Sequence, residues 1–292
     1  MDGTVFNGDP AANGGAEIVV TDESGWFSSA PVRTGREDRP DTHGTYRAPT
    51  WRGAAVITLA GWLWAPNPVT RRAAEIRLAG LCSDPHALYP LRHNDTSTGE
   101  DSVRLVELDG PVLINQQGPR HAGWSLQLAA PDPARYSAYP NTLSTGLPRD
   151  GGGLDWDTGG LGSLDFTGGG LGGLDFGTPS STGALTLTNP GSAPAWPAFT
   201  ITGPVQFPEV IDPATGAGLA FAGDLAAGQR LVIDTHPHRR TVTRDGIGGF
   251  RPYLRQAAWL SVPPGGALTV AFRATSYTAD ALLTAAWHTT WW

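Results

Sequence analysis

Two histidines separated by one residue, His236 and His238, are the best candidates in the sequence for metal or acid–base chemistry. Residues two apart in a strand point to the same side, so both rings could face one ion. A zinc site needs a third and usually a fourth ligand, and no suitable residue follows at metal-site spacing. The pair is therefore interpreted as part of a turn, and no metal or cofactor is predicted.

Short catalytic motifs are missing from the sequence as well. It contains no Gly-x-Ser-x-Gly, no His-Glu-x-x-His, no phosphate-binding loop and no Cys-x-x-Cys. The Asp-Pro steps at Asp84, Asp132 and Asp212 are typical of the start of a turn. Carboxylates from distant positions could still meet in the fold, which a sequence does not reveal. We predict that the protein is not an enzyme.

Residues 151–177 repeat a Leu-Asp-aromatic motif three times at ten-residue intervals. Calcium-binding β-rolls place aspartate sixth in a nine-residue repeat, whereas Asp165 is seventh in a period of ten, so calcium binding is not predicted. Two interpretations stay open: a Gly-rich linker that touches nearby surfaces transiently, and three extended segments that each add to a sheet edge or pack on a neighbour. The candidate interaction residues are Leu154, Trp156, Leu164, Phe166, Leu174 and Phe176.

The composition is that of a folded, turn-rich protein. Of 292 residues, 40% are hydrophobic and 11 are Trp, which supplies apolar surface for two cores of ordinary size. Gly (39) and Pro (25) favour β structure with many turns over long helices. All 20 basic residues are Arg, against 27 acids, so the net charge of −7 does not indicate sequence-specific binding of nucleic acid.

The sequence carries no sign of secretion or membrane insertion. A single cysteine, Cys82, excludes an internal disulfide, so an oxidising compartment is not indicated. The first ten residues lack the basic and apolar regions of a signal peptide, and the longest apolar run, residues 54–65, is too short to span a bilayer. We expect a protein made in a cytoplasm, or assembled there into something larger.

Residues 1–139 are predicted to form an N-terminal β domain with one α-helix. Residues 46–65 hold its strongest β pattern, broken by Gly53 and Gly61, which suggests paired strands with a bulge or bend. Asn67-Pro68 starts a helix over residues 68–81, with Val69, Ala73, Ile76 and Gly80 on one stripe. Residues 103–108 and 112–115 are expected to pair as a hairpin around Asp109-Gly110, and residues 83–100 are expected to be a loop.

Residues 140–182 are predicted to be a Gly-rich linker or arm, and residues 183–292 a second, C-terminal β domain. Short apolar stretches recur there at even spacing with turn residues between them, which is typical of a jelly-roll β-sandwich. Expected strands include residues 239–244 and 259–262. The last residues, Trp291 and Trp292, are expected to pack in a final strand or to dock on another subunit.

Several segments together resemble the distal tail proteins of long-tailed, non-contractile phages, especially those of actinobacterial hosts. The resemblance covers nearly the whole chain. It depends on the order of WSLQLAAPDPARY (124–136), the Gly-rich triplet, ITGPVQFPEVID (201–212), DLAAGQRLVIDT (224–235) and WLSVPPGGALTVAF (259–272).

The resemblance implies a structural virion component of the siphovirus tail tip, assembled in the host cytoplasm. It implies a hexameric ring at the end of the tail tube, in which the first domain forms a belt around the DNA channel and a galectin-like second domain faces outward. The implied partners are the tube protein, the tail hub, the tape measure protein and receptor-binding proteins. The family offers no catalytic residue to carry over.

A carbohydrate-binding β-sandwich is the alternative function. Sugar rings stack on exposed aromatic side chains, and Trp196 or Trp259 could supply such a platform. This alternative would also serve adhesion to a host surface.

Overall fold

The computed structural model describes residues 3–150 and 180–292. The chain forms two compact units: Met1–Ala138 together with Trp291–Trp292, and Tyr139–Thr290. Both are built from antiparallel sheets, and α1 (Pro68–Ala79) is the only α-helix in the described residues. The predicted mainly β, sandwich-rich fold class is confirmed.

An eight-stranded sheet organises the first unit, with the order β1-β4-β8-β6-β9-β22 and with β5 paired to β6 and β7 paired to β8. Its strands are β1 (Glu17–Ser24), β4 (Ala55–Trp64), β5 (Tyr89–Asp95), β6 (Glu100–Leu108), β7 (Leu113–Gln116), β8 (His121–Ala130), β9 (Arg135–Ser137) and β22 (Thr290–Trp291). The strands β2 (Val32–Thr34) and β3 (Thr50–Arg52) form a separate hairpin, and a short 3-10 helix spans Pro10–Asn13.

Strands β4 and β8 form the centre of this sheet. They pair over ten positions, from Ala55 opposite Ala130 to Trp64 opposite His121. Alternate residues of β8 face the core, because neighbouring side chains of a strand point to opposite faces. The inward set is Ala122, Trp124, Leu126, Leu128 and Ala130, and all are buried.

Gly61 marks an irregularity in the pairing of β4 with β1. The register shifts between Val20 and Asp22, and Val20 lies opposite Gly61. A Cβ at Gly61 would come within 1.8 Å of the carbonyl oxygen of Val19, so only glycine fits there. The irregularity expected within residues 46–65 lies instead in the partner strand β1, opposite Gly61.

Helix α1 begins as predicted but turns a different face to the core. The Asn67 side chain accepts a hydrogen bond from the Thr70 N–H at 2.8 Å, and Pro68 occupies the first turn. The predicted apolar stripe is wrong, because Val69 and Ile76 are 80% and 60% exposed. The residues that α1 buries are Ala74, Glu75 and Leu78.

Glu75 lies on the buried face of α1 although it is charged. Its carboxylate accepts hydrogen bonds from Arg71, from Arg72 at 3.2 Å and from the Gln116 side chain at 3.1 Å. These partners allow a charged side chain with 2% exposure to lie inside. A helix face predicted from the spacing of apolar residues does not include a buried charged residue such as Glu75.

The predicted hairpin between residues 103–108 and 112–115 is wrong in its pairing. Strand β7 pairs with residues 122–125 of β8, while the end of β6 pairs with residues 128–129 of the same strand. Both segments run antiparallel to β8 and lie along the same edge of that strand. The turn at Asp109-Gly110 therefore connects two successive segments and does not fold β7 back onto β6. The expected loop over 83–100 contains β5, a largely polar strand that pairs with β6.

The second unit contains two five-stranded sheets, ordered β10-β21-β12-β17-β18 and β11-β20-β14-β15-β19, and a small pair, β13-β16. Their strands are β10 (Asn141–Gly146), β11 (Ala184–Asn189), β12 (Ala198–Thr202), β13 (Val205–Gln206), β14 (Glu209–Ile211), β15 (Gly218–Phe221), β16 (Asp224–Leu225), β17 (Arg230–Asp234), β18 (Val242–Arg244), β19 (Leu254–Ala257), β20 (Gly266–Arg273) and β21 (Leu282–Trp287). A 3-10 turn spans Arg251–Tyr253.

One apolar core joins these two sheets. It includes Leu187 and Phe272 from one sheet and Phe199, Leu231 and Leu283 from the other, all with at most 1% exposure. Shared burial of two inner faces defines a β-sandwich.

Two strands of the second unit differ from the sequence expectation. Residues 141–146, assigned to the linker, form the edge strand β10 and pair with β21. Their side chains are mostly exposed, so backbone hydrogen bonds and not an apolar pattern define that strand. The strand expected at 259–262 lies instead at Leu254–Ala257, while Val262 makes an isolated bridge with Ala195.

Candidate functional site

The two terminal tryptophans, Trp291 and Trp292, belong to the first unit. The guanidinium of Arg135 lies over the Trp291 ring at 5.4 Å from its centroid, and that of Arg52 lies over Trp292 at 4.7 Å. Trp292 remains 36% exposed. The expected packing of both residues is thus with arginine side chains.

Arg135 connects Trp291 to a second aromatic ring. Its guanidinium also lies over Phe27 at 4.8 Å and forms an ion pair with Glu100 at 3.3 Å. The Arg135 side chain is only 8% exposed, and its Nε and Nη1 atoms have no hydrogen-bond partner among the described residues. A buried cation on two rings is held by its charge–quadrupole attraction to them.

A second buried arginine, Arg104, interacts electrostatically with Arg135. It is 1% exposed, stacks over Trp26 at 5.4 Å and donates hydrogen bonds to the carbonyl oxygens of Gly25 and Pro133 at 3.1 and 3.3 Å. Burial and then repulsion by Arg135 lower the pKa of Arg104 to about 10. Asp132 and Glu23 oppose that shift.

Arg104, Arg135, Trp26, Phe27 and Trp291 form an arginine–aromatic cluster. The cluster holds distant segments of the chain together, and it contains no nucleophile and no proton-transfer pair. Arg104 and Arg135 were not among the residues predicted from the sequence. A signal was present for Arg104, because it shares its strand face with the buried Ser102 and Val106, whereas Leu105 on the other face is 45% exposed. Arg104 is inward-facing because it lies an even number of residues from buried positions of the same strand, although it is not apolar.

The first unit also has an open cleft of about 680 Å³ between residues 4–8 and 91–96. Three polar atoms around it are buried without hydrogen-bond partners among the described residues: Thr4 Oγ1, Trp26 Nε1 and His93 Nδ1. His93 packs against Trp26 with 5.6 Å between ring centroids. The cleft could therefore accept a ligand that supplies hydrogen bonds.

The six candidate residues of the repeat, Leu154, Trp156, Leu164, Phe166, Leu174 and Phe176, lie outside the described residues. The chain on either side of them is fixed by a bridge between Arg149 and Ser181, whose backbone hydrogen bonds measure 2.8 and 2.9 Å. Arg149 and Ser181, which flank the repeat region, are thus held side by side.

The rings of the two candidate histidines lie close together at a tilt of 47°, with 5.3 Å between ring centroids. The His236 backbone N–H donates to Asp234 at 2.9 Å, as in a turn. Across residues 3–150 and 180–292, no group of three or more His, Cys, Asp or Glu side chains could hold a metal ion. No helix in that part of the chain is long and apolar enough to cross a bilayer.

The proposed sugar platforms differ in their surroundings. The guanidinium groups of Arg240 and Arg251 lie over the Trp259 ring at 5.6 and 5.3 Å. Trp196 is half-buried. A ring already covered by two cations offers less apolar surface to a sugar, so Trp259 does not favour the carbohydrate alternative.

Comparison with known proteins gave matches only among solved structures, since no protein-family model and no curated protein matches the chain. The chain is similar to the crystal structure of the Dit protein of phage SPP1, described as a paradigm of the hub adsorption apparatus in phages that infect Gram-positive bacteria. That alignment covers 93% of this chain and 92% of SPP1 Dit, with a TM-score of 0.60 and 11% sequence identity.

Two structures of the phage P2 baseplate in its activated conformation also align. The structure with Ca has a TM-score of 0.47 at 10% identity, covering 94% of this chain and 91% of the matched chain. The structure with Sr has a TM-score of 0.45 at 11% identity, with coverages of 91% and 93%. The alignment with SPP1 Dit spans both units, and this chain therefore has the SPP1 Dit fold.

Proposed function

We propose that this protein is a structural component of a phage tail tip that forms a hexameric ring at the distal end of the tail tube. The observation that carries this proposal is the likeness to SPP1 Dit, which extends over 93% of the chain and includes both units. The proposal is an analogy at the level of the fold, and the match extends over both units and not over one sandwich domain alone.

In this role the first unit surrounds a channel through which DNA passes, and the second unit carries other baseplate parts. The partners are further copies of the chain, the tail tube protein, the tail hub, the tape measure protein and receptor-binding proteins. The protein is assembled in the host cytoplasm, ends in the virion, and acts by binding and not by catalysis.

An exposed apolar surface on the β2–β3 hairpin and its loop supports self-association through the first unit. Val32, Tyr46 and Trp51 are 56%, 55% and 66% exposed. Large aromatic side chains with this exposure are typical of residues that a partner buries. We assign the contact between neighbouring copies of the ring to this hairpin.

Electron microscopy and mass photometry of the purified full chain, alone and with tail tube protein, test the ring. We expect six-fold particles, and loss of them in a Trp51→Ser/Val32→Ser variant. Val69→Ser is the matched control, because Val69 is 80% exposed on the helix and lies outside the hairpin. A protein that stays monomeric at high concentration with tube protein present would contradict the ring.

A further inference from the structure

A surface of the second unit carries three arginines that have no carboxylate partner among the described residues. Arg240 and Arg251 lie over Trp259, and Arg244 lies over Phe250 at 4.7 Å. These five residues, together with Ile247 and Tyr253, are called here the arginine surface. Arg244 and Ile247 are bridged through their backbones, and Phe250 packs on Tyr253 at 5.7 Å, so the members form one continuous patch.

The positive charge of this surface stands out in a chain of net charge −7. Five of the seven arginines that follow residue 182 lie within residues 239–255, where the only acid is Asp245. Two of the five are neutralised, Arg239 by Asp234 at 2.8 Å and Arg255 by Glu209 at 2.9 Å. The three arginines of the surface are left in excess.

The arginine surface combines these cations with exposed apolar groups. Ile247 and Tyr253 are 69% and 55% exposed. The Nε atom of Arg240 is buried without a hydrogen-bond partner among the described residues, and the backbone of Arg240 has a φ of 41°, a strained value for a non-glycine residue. A ligand that fits must offer carboxylates flanked by apolar side chains.

The chain itself contains a segment of that chemistry. Residues 150–177 carry five aspartates and no basic residue. Three of these acids, Asp155, Asp165 and Asp175, each lie between a leucine and an aromatic residue. Carboxylate–guanidinium pairs flanked by apolar contacts are stronger than pairs in open water, because the contacts remove solvent from them.

The repeat is long enough to reach the arginine surface wherever that surface lies on its unit. About 30 residues separate Arg149 from Ser181, which hold the two ends together. A chain that goes out and returns over this length extends about 50 Å at most. A domain of this size is about 40 Å across.

We propose that the arginine surface binds the Leu-Asp-aromatic repeat of the same chain. The aspartates pair with Arg240, Arg244 and Arg251, and the leucine and aromatic side chains cover Ile247 and Tyr253. This assigns an occupant to the surface and does not depend on ring formation, so failure of the ring proposal leaves it intact.

A nitroxide spin label on the full chain tests this binding. The label is placed at Ser163→Cys, between the first and second motifs, in a Cys82→Ser background. We expect a slow component in the spectrum at low salt that falls at least two-fold in 1 M NaCl, because salt screens ion pairs. The same loss is expected in a variant with Arg240, Arg244 and Arg251 changed to Gln.

Two further variants make the result decisive. The variant Asp155→Asn/Asp165→Asn/Asp175→Asn leaves the arginine surface unchanged and must lose the slow component. The control variant Arg33→Gln/Arg36→Gln/Arg39→Gln removes three positive charges from the first unit and must retain the slow component. Reversing the charges on both partners together should restore the component. A label that is fast in the unsubstituted chain, or equally slow in all variants, overturns the proposal.

Discussion

The guanidinium of Arg135 lies over the indole ring of Trp291, with 5.4 Å between Cζ and the ring centroid. The two residues are more than 150 positions apart in the sequence, yet they belong to the same compact unit. Because Arg135 is buried and also contacts Phe27, the contact joins the last strand to the interior of the first unit.

Trp291→Ala should therefore destabilise the first unit by about 2 kcal/mol, through lost aromatic burial and a lost cation–π contact. Calorimetry of the full chain measures this as a lower midpoint for one transition. Trp292→Ala is the control, since its ring is 36% exposed, and we expect a smaller shift. Equal shifts for the two variants would contradict a special role for the Arg135 contact.

Glu75→Ala should be among the most damaging substitutions on the helix. Glu75 is 2% exposed, and its removal leaves the Arg71 guanidinium half-enclosed without its carboxylate. Breaking a buried ion pair in this way costs about 3 kcal/mol. Urea unfolding measures the loss, with the exposed Glu37→Ala as a control that should change stability by less than about 0.5 kcal/mol.

Asp95 makes a pH-dependent contribution to stability. Hydrogen bonds from the Ser97 side chain, and then from Thr98, lower the pKa of Asp95 from 3.8 to about 2. A depressed carboxyl pKa adds stability above the unfolded value and loses it as pH falls through the folded value. The advantage of the parent over Asp95→Asn should shrink below about pH 4 and be lost only as the pH falls below about 2. Melting curves of both proteins check this, and a constant difference would refute it.

Gly61→Ala should disrupt the pairing of β1 with β4. The added methyl group would meet the Val19 carbonyl oxygen at 1.8 Å, so the strands must separate at a cost of about 2 kcal/mol or more. Gly118→Ala is the control, because a Cβ there meets nothing within 4 Å. Hydrogen exchange of the β1 amides should accelerate in the first variant alone.

The parts of the fold that sequence predicted best are those in which one strand face is buried. In residues 121–129 the apolar side chains of the sequence alternate, and Trp124, Leu126 and Leu128 are buried, because strand geometry converts a period of two directly into burial. The Asn67 cap likewise depends on neighbours in sequence and is confirmed.

Features that depend on distant partners were not predictable in the same way. The strand β7 follows the Asp109-Gly110 turn, which suggests pairing with β6, yet β7 pairs with β8. Which strand it pairs with depends on the edges that the folded sheet offers, and these are not visible in the local sequence. The buried face of α1 depends on Gln116, which is 41 positions from Glu75. For the candidate sites, the aromatic residues at 291 and 292 were visible, but the arginines that cover them were not.

The division of the chain into units has a consequence for how the molecule can be cut and rebuilt. The chain leaves the first unit after Ala138 and re-enters it at Trp291, so the second unit is an insertion with two covalent crossings. A nick after Ala138 would leave no covalent path between residues 1–138 and the two terminal tryptophans, which contact Arg135 and Arg52 without a bond. An alternative domain can be grafted between these junctions as a cassette, whereas simple truncation at Ala138 would also discard the tryptophan that rests on Arg135.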